Sequence, residues 1–92
     1  MNDPRQVQIA QVMLGREAQE FLASDVGRYL LGRAEQDKRE AQDLLSRVAP
    51  WRKNRIRQLQ NEVWRAESFV TWLAELINEG AVAEVTLLED ND

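Results

Sequence analysis

The sequence predicts an all-α protein: a long antiparallel helical hairpin with an N-terminal helix packed across it, a three-helix arrangement. Three observations carry that reading. Apolar residues recur at helical spacing along most of the chain. Helix start and stop signals divide it into three segments. Four glycines and two prolines among 92 residues are too few for a turn-rich β fold. At 10.7 kDa the chain makes a single helical domain, residues 1–92, with one thin core.

The first helix is expected over 4–23. Asn2 or Asp3 caps it and Pro4 takes the first helical position, where a missing N–H does no harm. Val7, Ala10, Leu14, Ala18, Phe21 and Leu22 then follow at helical intervals. Ser24 before Asp25 reads as a fresh N-cap with an acid in the first turn, so the chain bends there.

The second helix is expected over 25–48. Val26, Leu30, Ala34, Ala41, Leu44, Leu45 and Val48 fall on one stripe. Its outer face carries charge pairs four apart, such as Arg33 with Asp37 and Asp43 with Arg47, each adding only a few tenths of a kcal/mol. Ala49-Pro50 ends it, because proline disfavours helical geometry at the residue before it.

The third helix is expected over 51–79, with Gly80 as C-cap and an acidic C-terminal tail over 81–92. Ile56, Leu59, Val63, Ala66, Val70, Leu73 and Ile77 alternate spacings of three and four, a seam that demands a partner helix. The short Ala49-Pro50 connection supplies the second helix, antiparallel, placing Ala34 near Ala66 and Leu44 near Ile56. Phe69, Trp72 and Leu76 lie about 100° round from that seam and read as additional core. Leu14, Phe21 and Leu22 of the first helix, or another subunit, would cover them.

Several chemistries are excluded by composition. Without cysteine there is no disulfide, thiol catalysis or thiolate metal site; without histidine there is no imidazole catalysis or usual zinc ligation. The hydroxyls of Ser24, Ser46, Ser68 and Thr71 therefore lack an imidazole to activate them. No catalytic residue, cofactor or metal is expected, and the chain reads as non-enzymatic. No apolar run approaches the ~20 residues of a membrane span and no signal-peptide pattern opens the chain, so a soluble intracellular protein is the expectation.

The net charge of −4 conceals an asymmetry. Residues 47–65 carry six bases against one acid, whereas residues 66–92 carry seven acids and no base. Such a division either steers association or is compensated by antiparallel packing.

Two groups of residues are candidates for contact. Lys53, Arg57, Gln60 and Trp64 share a helix face outside the seam, and an indole flanked by long cations fits an interface anchor. The competing reading makes Trp64 plain core beneath the first helix or the tail. Arg52, Lys53, Arg55 and Arg57, beside Trp51, are a possible nucleic-acid contact. However, Arg52 and Arg55 point near the seam and the other two away from it, so the cations do not form one groove-reading stripe.

The run Phe21-Leu22, Ser24, Gly27-Arg28-Tyr29-Leu30, Arg33-Ala34 resembles a family of small uncharacterised α-helical tailed-bacteriophage proteins encoded among head and DNA-packaging genes. Ile56, Leu59-Gln60-Asn61, Ala66-Glu67, Trp72-Leu73, Ile77 and Gly80 resemble the same family's second half. The basic Ala49–Arg57 stretch departs from it, since the family often has an acidic turn there. The resemblance implies a virion-assembly setting and transfers no functional residues.

The expected function is thus that of a phage helical assembly or accessory protein acting through protein–protein contacts, as a virion component or packaging-stage factor. Its partner would be a phage structural or packaging protein or a host protein, and a homo-oligomer is a further expectation. Its place would be the cytoplasm of the infected bacterial host, or the virion. The acidic 79–92 segment offers a second contact face. Two alternatives stand beside this: a DNA-packaging factor touching DNA through Arg52–Arg57, and a small acidic inhibitor of a host nucleic-acid-binding protein.

Overall fold

A computed structural model describes residues 3–90, and its three helices are α1 (Pro4–Ala23), α2 (Asp25–Arg47) and α3 (Lys53–Asp90). The long α3 packs against both other helices, which touch each other far less. The all-α three-helix arrangement is therefore the fold.

Local chemistry sets the first two boundaries. The Asp3 carboxylate accepts the Arg5 N–H at 3.2 Å, and Pro4 follows it into the first turn; Asn2 lies outside the described residues. Ser24 serves two helices at once. Its extended backbone (φ −75°, ψ 160°) stops α1 while its N–H donates to the Glu20 and Phe21 carbonyls. Its hydroxyl accepts the Gly27 N–H at 3.0 Å, which caps α2. Gly27 is buried in this corner because an added Cβ would overlap the Phe21 carbonyl.

α2 stops one residue before the expected Val48, whose extended backbone precedes Ala49-Pro50. A turn closed by the Arg52 N–H on the Ala49 carbonyl then leads into α3, so Trp51 and Arg52 precede the helix. Antiparallel α2 and α3 are tied by Lys38 and Glu67, 3.3 Å apart. Ala34 and Ala66 line the same hollows at this interface, as the seam implies.

The α2 stripe needs correction. Gly27, Leu31, Ala34, Lys38, Ala41, Leu45 and Val48 are its buried or half-buried positions, while Val26, Leu30 and Leu44 are exposed. Leucines at 30–31 and 44–45 draw two ridges about 100° apart, and periodicity alone does not choose between them. The chosen ridge includes Lys38, whose half-buried stem lies in the seam while its ammonium reaches Glu67.

A second correction concerns Gly80, which does not end α3. The helix runs 38 residues to Asp90, taking in most of the expected tail; Asn91 and Asp92 lie outside the described residues. Gly80 has no positive φ and is used for its missing side chain. A Cβ on it would stand 2.9 Å from the Gln11 carbonyl oxygen and 3.0 Å from the Gly15 Cα. A Cβ on Gly15 would meet the Leu76 carbonyl oxygen at 2.9 Å. α1 thus crosses α3 backbone to backbone at Gly15 and Gly80. Buried Ala18 and Ala83 extend the contact, and Arg16 pairs with Glu84 at 3.0 Å. This packing keeps residues 81–90 helical.

The resulting core is thin. Ala18, Ala41, Leu59, Ala66 and Ala83 are the buried apolar side chains among the described residues, and Leu59 alone of these is large. Leu14, expected as cover, is itself exposed. The radius of gyration is 18.4 Å, against about 12 Å for a compact chain of this length.

The glycines give a test of opposite signs. Gly32 lies mid-helix facing open space, so Gly32→Ala should stabilise by about 0.8–1 kcal/mol through helix propensity alone. Gly80→Ala should instead destabilise by roughly 1–3 kcal/mol, because the added methyl forces two backbones apart. Urea unfolding followed by circular dichroism measures both.

Candidate functional site

All three tryptophans lie on the outside of the molecule. Trp51 is 81% exposed, Trp64 64% and Trp72 60%. An indole is the largest apolar side chain available, and its exposure forgoes burial worth several kcal/mol. Three such side chains left in water make the surfaces that carry them candidates for contact.

Trp72 departs from the expectation that it extends the core. α1 settles on the ridge formed by Leu76, Gly80, Ala83 and Leu87, and Trp72 lies beyond its reach. Phe69 and Leu76 are half-buried, as that reading requires.

Lys53, Arg57, Gln60 and Trp64 are all exposed and are brought together on α3. Spacings of four, three and four residues stack them on one outward face, away from the seam. The core reading of Trp64 does not hold within this chain: neither α1 nor the end of α3 covers it. Arg57 and Lys53 lie about two and three turns before the indole on this face and Glu67 follows it. A large apolar side chain thus stands at the end of a short positive run, and Trp and Arg are residue types enriched in interface hot spots.

The four cations of the Arg52–Arg57 stretch are divided, but Arg52 does not point near the seam as the helical spacing implies, because it precedes α3 and is exposed. Arg55 is half-buried and its guanidinium donates to the Gln58 side-chain oxygen at 3.1 Å. Arg52, Lys53 and Arg57 are exposed. Trp51 through Arg55 line a shallow hollow of about 320 Å³ at the hairpin tip.

One feature is absent from the sequence reading. A groove of about 570 Å³ runs between α2 and α3, its apolar floor formed by Leu30, Ala34, Ala41, Leu44, Ala66 and Phe69. Its rim carries both signs of charge, from Arg33, Asp37, Glu40, Glu62 and Arg65. The doubled leucine ridge of α2 was the available signal: the ridge left outside the seam becomes this wall. No group of three or more metal-ligating side chains converges among the described residues, and no described helix is long and apolar enough to cross a membrane.

Because Trp64 is exposed, Trp64→Ala should shift unfolding of the dilute chain by no more than about 0.5 kcal/mol. Leu59→Ala, at the one large fully buried side chain among the described residues, should cost about 2–5 kcal/mol. Denaturant titrations of the two variants check the contrast.

No protein-family model, curated protein or solved structure matches this chain.

Proposed function

We propose that this chain is a non-enzymatic helical assembly or accessory protein of a tailed bacteriophage that works through protein–protein contacts. It acts in the cytoplasm of the infected bacterium, as a virion component or a packaging-stage factor. The observation that carries this reading is the inverted placement of its apolar residues. Among the described residues the buried apolar side chains are four alanines and Leu59, while all three tryptophans and eleven further large apolar side chains stand exposed. Such a chain gives up stability of its own and keeps its anchors for a partner.

The resemblance of residues 21–80 to small phage proteins from head and packaging neighbourhoods supplies the phage setting. The Lys53–Arg57–Gln60–Trp64 face is the proposed contact for the partner protein, and the acidic end of α3 offers a second. DNA contact through Arg52–Arg57 is the weaker reading, because Arg55 is half-buried and bonded to Gln58 and the chain as a whole is acidic.

The test is retention of purified phage head and packaging proteins on the immobilised chain, with and without nuclease. One of them should bind at stoichiometric level, survive nuclease and be lost with Trp64→Ala. Binding that disappears with nuclease and falls steeply with salt would replace this reading by the DNA one.

A further inference from the structure

We infer that α3 pairs with α3 of a second copy of this chain, antiparallel and about a two-fold axis through Thr71. This deepens the protein-contact reading and rests on it, by naming one occupant of the exposed face.

The first argument is surface area. The chain exposes 7277 Å², whereas a compact monomer of its mass exposes about 5,500 Å². The excess, on the order of 1,800 Å², is more than the roughly 800 Å² that each partner buries in a standard interface. Something of substantial area therefore belongs against this molecule.

The second argument is the shape of the uncovered face. From Lys53 to Glu89 one line of eleven residues along α3 is exposed at every position, and α2 comes beside it at Glu67 and Thr71, which share a hollow with Glu35 and Lys38. Its members advance by 3.6 residues on average, the α-helical period, so the line runs straight along the axis for about 54 Å. The spacings read the same from either end, with Thr71 at the centre. An antiparallel partner presents the same line in reverse, so each position meets its mirror position.

Charge complementarity then selects a second copy. At both ends of the pair Lys53 of one copy meets Glu89 of the other. Arg57 meets Val85 one turn inward and reaches the same carboxylate. Trp64 covers Asn78 and neighbouring Val82, while Gln60 faces Val82; Val82 and Val85 are 59% and 56% exposed in the single chain. The like-charged Glu67 and Glu75 also face, but Glu67 is already neutralised by Lys38 at 3.3 Å. A parallel arrangement would instead set the acidic halves side by side. A contact about 54 Å long and ~10 Å wide buries just over 1,000 Å² in total, the lower bound for a specific interface. The dimer is accordingly reversible and salt-sensitive.

The experiment uses the full chain. Sedimentation equilibrium should show a monomer–dimer equilibrium that weakens as salt rises. Lys53→Glu and Glu89→Lys should each weaken dimerisation about tenfold, and the double variant should restore it. Because the chain has no cysteine, Thr71→Cys carries a sole thiol. A short bifunctional thiol reagent should join two Thr71→Cys chains and leave Ser46→Cys chains unjoined, with circular dichroism confirming both folded. A monomer at every concentration, or failure of the Thr71→Cys chains to cross-link, overturns the inference. If such a monomer still retains its phage partner, the proposed function stands without the dimer; if it retains none, both fall.

Discussion

Everything in this molecule leans on one helix. α1 and α2 each pack on α3 and far less on each other. Two helices in contact bury a single seam between them, and most of each circumference stays in water. The thin core, the elongated shape and the exposed tryptophans follow from that arrangement. A third helix laid into the groove of a complete hairpin would have closed the core; here α1 is spent on the far half of α3.

Close approach replaces bulk as the means of holding the helices together. At the α1–α3 crossing the two backbones meet through Gly15 and Gly80, with Ala18 and Ala83 in the same contact. At the hairpin, Ala41 and Ala66 are buried beside Leu59. Small residues allow many backbone atoms into van der Waals range, each contact weak and the sum considerable. The glycines also fix position, since a helix shifted by one turn would lose the gap that accommodates its neighbour. A framework of this kind orders its helices while leaving many of its large apolar side chains at the surface.

Those side chains are then available at the surface. Trp64 sits among Lys53, Arg57 and Gln60 on the outer face of α3, while Leu30, Leu44 and Phe69 line a groove on the flank of the hairpin. The opposed charges of the two halves of α3 make that outer face electrostatically asymmetric along its length. The ion pairs within the chain, such as Arg16–Glu84 and Arg33–Asp37, are exposed and contribute little to holding it folded.

The amino-acid sequence by itself determined the helical class, the break at Ser24, the turn at Pro50 and the α3 seam from Ile56 to Ile77. These follow from caps, proline geometry and periodicity, which act over a few residues and need no partner. It also placed Lys53, Arg57, Gln60 and Trp64 on one face, since helical spacing alone does that. Only the tertiary structure decided which leucine ridge of α2 turns inward, because both have the same period and the choice depends on what α3 presents. The same holds for Gly80: in isolation it reads as a helix stop, and only the approach of Gly15 makes it a crossing point inside a continuous helix. Trp72 stayed outside for that reason as well, since the crossing fixed where α1 lies and therefore what it leaves uncovered.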